Sequence, residues 1–197
     1  MPLLTSLLAT VLLMGLGLSI LLLGTAETIL AAHDRDARAL AYAARAAAAI
    51  AAADLRVLPS WTALAAPGAV AEVSATPGSF VDATLVPPAP WGGAALDLRA
   101  LTVRLQADSD AASPSAGPAP PWRLFEYGAF ARLVPETNPR NPYYLVVWVT
   151  DEGGTAVIRA AAYGPGEGRS ITEIAMDRQP VAGGPDTIRI LTVRPGT

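Results

Sequence analysis

Residues 3–26, LLTSLLATVLLMGLGLSILLLGTA, decide the fold because they form an unbroken apolar segment without a charged side chain. A membrane-spanning helix needs about 20 predominantly apolar residues, since each adds about 1.5 Å along the axis. A cleaved secretory signal would combine a basic start with a shorter apolar stretch and a small-residue cleavage site. The segment is longer than that, and no basic residue precedes it. The pattern therefore favours a retained membrane-spanning helix over a cleaved signal.

The helical pattern continues beyond this segment. Residues 27–55, ETILAAHDRDARALAYAARAAAAIAAADL, contain neither Gly nor Pro and are rich in Ala, the best helix former. Asp34 and Arg38 stand four residues apart, where they can pair. We expect one helix of about 50 residues, whose second half is amphipathic and is covered by the following domain. Its apolar stripe comprises Leu30, Ala37, Ala41, Ala44, Ala48, Ala51 and Leu55.

The composition changes after Leu55, where Pro, Gly and Trp replace the Ala run. We therefore divide the chain into a helix over 1–55, with its transmembrane segment at about 3–26, and a β-rich globular domain over 56–197. Residues 96–105 alternate loosely and fit either a strand or a short helix. Residues 106–121, QADSDAASPSAGPAPP, contain four prolines, which is typical of a Pro/Ser/Ala-rich loop.

The last third of the chain carries the clearest strand signals. Apolar and β-branched runs are separated by Gly-rich turns at 151–154 and 164–168, and strands joined by short turns pair in an antiparallel meander. The predicted fold is therefore α+β, with a long N-terminal hydrophobic helix packed on a small antiparallel sheet. The predicted strands are 122–133, 143–150, 155–163, 169–177 and 187–193.

The sequence contains no clear motif for catalysis or metal binding. The chain has no Cys, which excludes disulfides and thiolate metal sites. His33 is the one histidine, and although it stands beside Asp34, no nucleophile or second metal ligand accompanies it. The 14 basic residues are dispersed and the net charge is −3, which argues against a nucleic-acid partner. We expect a non-enzymatic protein without catalytic residues, cofactor or metal; an enzyme or ligand-binding receptor is the weaker alternative.

Candidate functional positions lie instead on the apolar helix. Gly15, Gly17 and Gly24 fit two interpretations equally well: ordinary membrane-helix glycines, or sites of close helix–helix approach. Glu27 follows the apolar run, where we expect it at the membrane interface, because a carboxylate inside lipid is costly.

Three stretches resemble one known family. Ala26-Glu27-Thr28 with the Ala-rich segment 31–53 resembles the helix of PilX-type minor pilins, a branch of the type IV pilin-like proteins. WRLFEYG at 122–128 with YYLVVWVTD at 143–151, and RAAAYGPGEGR at 159–169, resemble the β region of PilX-related pilus assembly proteins. The resemblance covers most of the chain and is more specific in the β region, because any Ala-rich helix matches the first stretch.

The resemblance implies a helix inserted with its N-terminus inside, processing by a prepilin peptidase, and packing into a pilus or a secretion pseudopilus. Most mature pilins carry Glu at the fifth position, and Thr5 stands there if Met1 is the mature residue. A basic leader ending in Gly does not precede Met1 in this sequence. Subunits that lack the fifth-position Glu fit a tip or priming role better than a shaft role.

The sequence thus predicts a minor pilin-like subunit that acts in assembly, priming or tip formation. The alternatives are a repeated filament subunit and a single-pass accessory subunit of a membrane complex. The expected partners are membrane lipid and other pilin-like or membrane-complex subunits, contacted through the helix and its positions Thr5, Gly15, Gly17, Gly24 and Glu27. The expected location is the bacterial inner membrane with the domain in the periplasm, or a cell-surface pilus.

Overall fold

The computed structural model describes residues 2–58, 61, 80–92, 94–112, 119–133, 142–179 and 187–196, without the side chain of Thr5. The expected α+β fold is confirmed: a long apolar N-terminal helix precedes a five-stranded antiparallel sheet. The chain divides into two compact units, residues 1–39 and 40–197, so the division falls inside the first helix. The elements are α1 (Pro2–Val57), α2 (Leu98–Ala112), β1 (Arg123–Ala129), β2 (Tyr144–Glu152), β3 (Thr155–Tyr163), β4 (Arg169–Gln179) and β5 (Thr187–Pro195).

The sheet is a meander in which each strand pairs with the next one along the chain, in the order β1-β2-β3-β4-β5. The β2–β3 turn requires glycine, because Gly153 and Gly154 have φ values of 68° and 99°, in the region that a Cβ disfavours. The longer β3–β4 connection is closed by the Gly164 N–H, which donates to the Gly168 carbonyl at 2.8 Å. Both turns lie where the glycine-rich segments predicted them.

Both faces of the interior strand β2 are buried. Successive side chains of a strand point to opposite faces, so Tyr144, Val146 and Trp148 lie on one side and Leu145 and Val147 on the other. The first side forms a cluster with Leu98 and Leu105 of α2, together with Trp122, Leu124, Tyr127, Ala161 and Ile171. A strand buried on both faces explains why β2 has the sequence YLVVWVTDE, with a nearly continuous apolar run.

The other face of the sheet is covered by the part of α1 that belongs to the second unit. Asp54 of α1 contacts Glu126 of β1, and the Leu58 carbonyl accepts a hydrogen bond from Arg178 of β4. At the opposite end, Cβ atoms built on Gly164 and Gly168 would lie 3.1 and 3.0 Å from the Leu40 side chain. Glycine at these two positions therefore leaves room for Leu40 against the β3–β4 connection.

The buried face of α1 is built from small residues, and it differs from the predicted stripe. Leu30 and Ala37 are exposed, so these two positions were wrong, whereas Ala41 is partly buried beside β4 and β5. Leu30 and Ala37 are exposed because the part of α1 that the sheet covers begins near Leu40. The buried positions are Leu40, Ala43, Ala44, Ala47, Ala48, Ala51, Ala52 and Leu55.

The second helix, α2, decides between the strand and the helix that the sequence allowed for residues 96–105, and it corrects part of the loop predicted at 106–121. Residues 98–112 form α2, so the ambiguous stretch 96–105 is mainly helical and the predicted loop 106–121 is wrong over 106–112. Asp97 caps the helix by accepting from the Ala100 N–H at 2.9 Å. Gln106 and Asp110 accept from the Trp122 and Ala119 N–H groups at 2.8 and 2.9 Å. Polar side chains that suggested a loop thus anchor the segment that leads from α2 into β1. Residues 113–118 lie outside the described part of the chain.

Candidate membrane and assembly helix

Between Pro2 and Ala26 the helix of the first unit exposes an apolar surface on every side. Within this unit, the large apolar side chains from Leu3 to Leu30 are all more than half exposed, from 55% at Leu16 to 85% at Leu3. A helix that is apolar all round is stable when lipid or other protein covers it. The helix is long and apolar enough to cross a membrane, judged by its length and composition.

The hydroxyl groups along this helix are satisfied within it. Ser6, Thr10, Ser19, Thr25 and Thr28 each donate to a carbonyl three or four residues earlier, at 2.8 to 3.0 Å. In a hydrocarbon environment an unpaired hydroxyl is costly, so such back-bonding suits a surface that contacts lipid or other helices. Each hydroxyl whose side chain is described in residues 2–28 follows this pattern.

The predicted glycines are open positions on the helix surface. A Cβ built on Gly15, Gly17 or Gly24 would meet nothing within 4 Å, so no side chain among the described residues fills the space beside them. Gly17 and Gly24 are two turns apart and share one face, on which Thr10 and Ala31 also lie at seven-residue spacing. Gly15 lies on the opposite side. The prediction for Thr5 concerns a side chain outside the described set.

Charged side chains begin where the apolar run ends. Glu27 and Asp34 border a shallow depression with Leu30 and Ala31 between them. Asp34 pairs with Arg38 at 2.6 Å, as the four-residue spacing predicted, and both side chains are more than half exposed. An exposed pair of this kind contributes about 0.3–0.5 kcal/mol to the helix. The polarity of the helix therefore changes sharply at Glu27, which marks one end of the apolar surface.

A buried carboxyl group was not predicted from the sequence. Glu126 of β1 is 0% exposed, and neither of its oxygens meets an N–H or O–H donor among the described residues. Burial, followed by the adjacent Asp54 carboxyl, raises the pKa of Glu126 from 4.5 to about 9. Below that pH Glu126 is neutral and its proton can be shared with Asp54. The sequence RLFEYGA gave no sign of this, because β1 is buried on both faces and the sequence does not show that Glu126 is covered.

The chain beyond the end of α1 is fixed to the sheet through one arginine. Arg178 of β4 donates to the Leu58 carbonyl at 2.5 Å, and its guanidinium lies 4.7 Å from the centre of the Trp61 ring. The Trp61 indole N–H in turn donates to the Leu55 carbonyl at 3.0 Å. Trp61 thus caps the last turn of α1, whose terminal carbonyls lack partners within the helix.

The described residues hold no group of three or more His, Cys, Asp or Glu side chains that could bind a metal ion. His33 lies on the exposed surface of the first unit. No protein-family model, curated protein or solved structure matches the chain.

Proposed function

We propose that the protein is a minor pilin-like structural subunit of a type IV pilus or a related secretion pseudopilus. In this role it acts in assembly, priming or tip formation. The observation that carries the proposal is the all-round apolar surface of residues 2–26, with its hydroxyls bonded inward. Such a segment can leave lipid for contact with neighbouring helices without exposing an unpaired polar group.

The rest of the chain supports a structural role. The sheet fixes the second part of α1 through a small-residue face and through Arg178, so the domain and the helix end form one packed body within residues 40–197. The face with Thr10, Gly17, Gly24 and Ala31 offers a shallow surface, which permits close approach of another helix. In this proposal Gly15, Thr5 and Glu27 are further contact positions, and the domain lies in the periplasm or at the cell surface.

A single-pass accessory subunit of a membrane complex and a repeated filament subunit use the same apolar helix. The three roles differ in processing and abundance. A pilin-like subunit is cleaved from a leader and carries an N-methylated first residue, whereas an accessory subunit keeps its original terminus. A repeated subunit is the most abundant protein of the filament, whereas a minor subunit is present in few copies.

The deciding experiment is the intact mass and N-terminal sequence of the protein from its native membrane or sheared surface fraction. A processed, N-methylated terminus supports the pilin-like role, and the copy number in the sheared fraction then separates minor from repeated subunits. A full-length, unmodified terminus in the membrane fraction would overturn the pilin-like proposal and favour the accessory subunit.

A further inference from the structure

A cleft of about 480 Å³ lies between α2 and the adjacent face of β3 and β4, within the second unit. Ligand sites typically have volumes of about 300–1,000 Å³. The α2 wall carries Arg104, Asp108 and Ser109, and the sheet wall carries Arg159 and Arg169. The cleft exists because α2 packs over the first strands, where Trp148 donates to Thr102 at 2.8 Å, and leaves the face of β4 open.

Guanidinium groups from three separate elements line this cleft. Arg104 comes from α2, Arg159 from β3 and Arg169 from β4. Arg159 is held in place by Glu173, at 3.0 Å, and the second oxygen of Glu173 binds Arg194 at 2.9 Å. One carboxylate therefore pairs with two arginines, one on each of its oxygens.

The local charge is opposite to that of the whole protein. Among the residues that the structure describes, four arginines and the two carboxylates of Asp108 and Glu173 lie in and beside the cleft, an excess positive charge of about two. The complete chain has a net charge of −3. A concentrated positive site in an acidic protein is a specific feature of this cleft and does not reflect its overall composition.

Part of the cleft is shielded from water, whereas Arg104 and Arg169 at its edges are exposed. Only 18% of the Arg159 side chain and 11% of the Glu173 side chain are exposed, and Arg169 hydrogen-bonds the Tyr163 side chain. Trp148 and Ile171 provide an apolar floor. Charge-assisted hydrogen bonds are stronger in such partly desolvated sites, and a planar guanidinium matches carboxylate and phosphate oxygens in pairs.

We propose that this cleft binds a small organic anion through carboxylate or phosphate oxygens contacted by Arg104, Arg159 and Arg169. Asp108 and Ser109, on the α2 wall, offer an acceptor and a hydroxyl to polar groups elsewhere on the ligand. The site does not depend on the proposed assembly function, because its residues all lie in the domain and none lies on the apolar helix.

The test is a titration of the full chain in neutral detergent micelles, at constant ionic strength, followed by the NMR signals of the arginine side-chain N–H groups. The probes are succinate, inorganic phosphate and succinamide, which has the succinate skeleton without its charge. Succinate or phosphate should saturate with a dissociation constant below about 10 mM, whereas succinamide should not bind. The anion that saturates identifies the carboxylate or the phosphate class.

Variants assign the binding to the cleft. Arg104→Ala and Arg169→Ala, both exposed side chains, should each weaken binding about tenfold or more, because each removes a charge-assisted contact. Arg99→Ala is the matched control, since Arg99 is an exposed arginine of the same helix and does not line the cleft. The proposal is overturned if neither anion saturates, if succinamide binds equally well, or if Arg99→Ala weakens binding as much as the cleft variants.

Discussion

The buried carboxyl of Glu126 makes the stability of the domain depend on pH in an unusual direction. Its pKa is about 9 in the folded protein and 4.5 in the unfolded reference. Between these values the folded state binds the additional proton, so the free energy of unfolding falls as pH rises. The stabilising effect is complete below pH 4.5 and is lost progressively as the pH approaches 9.

The size of the effect follows from proton linkage. One proton bound only by the folded state changes the free energy of unfolding by up to about 1.4 kcal/mol per pH unit. From pH 5 to pH 8 the group alone would therefore remove at most about 4 kcal/mol, with a smaller loss if water reaches the ionised carboxylate. Most buried carboxylates that form ion pairs act in the opposite direction, which makes the sign of the slope diagnostic.

Glu126→Gln tests this directly. The amide keeps the shape of the side chain and an N–H group that can donate to Asp54, but it does not titrate between pH 5 and pH 8. We expect the variant to be more stable than the native protein at pH 8 and within about 1 kcal/mol of it at pH 5.

The assay is urea unfolding of the full chain in neutral detergent, followed by tryptophan fluorescence, since all four tryptophans lie between residues 61 and 148. Glu152→Gln, at an exposed strand end, serves as the control and should leave the pH dependence unchanged. Parallel pH profiles for Glu126→Gln and the native protein would refute the assignment of a neutral, buried Glu126.

Three further outcomes are expected. Ala48→Leu should destabilise the domain by about 1–3 kcal/mol in the same unfolding assay, because Ala48 is 0% exposed on the covered face of α1; Ala49→Leu, on the exposed side, should change stability by less than about 0.5 kcal/mol. Arg178→Ala should cost about 2–3 kcal/mol and shift the Trp61 fluorescence, because it removes the hydrogen bond to Leu58 and the ring contact; an unchanged spectrum would contradict that contact. Leu13→Arg should weaken membrane retention by about 2.5–3.5 kcal/mol, seen as release at alkaline pH. Full retention of Leu13→Arg, matched to a Leu13→Ala control, would argue against a spanning helix.

Elements with strong local signals could be predicted from the sequence. The apolar first part of α1 follows from the apolar run at 3–26, and the five strands follow from runs of β-branched and aromatic residues between Gly-rich turns. The β3 bounds are the same in prediction and structure, because Gly154 and Gly164 lie directly outside them.

The incorrect predictions have physical causes that are not visible in a single sequence. The loop prediction over 106–112 failed because Asp, Ser and Gln are also compatible with a helix when they anchor a neighbouring chain, as Gln106 and Asp110 do. The helix stripe was misplaced because Ala residues occur on every side of α1, so periodicity could not select the covered face. Glu126 escaped notice because β1 is covered on both faces, and a charged residue within a short strand ordinarily indicates a solvent-facing position.

The inward-bonded hydroxyls of α1 have a consequence for how the helix responds to its surroundings. Each of the five donors has its acceptor on the same helix, so a change of neighbour breaks no hydrogen bond and leaves no new group to be solvated. The free energy of moving this segment between two apolar environments is therefore governed by shape and dispersion contacts. Selectivity for one neighbouring helix over another must then come from steric fit along the surface, with little contribution from polar recognition.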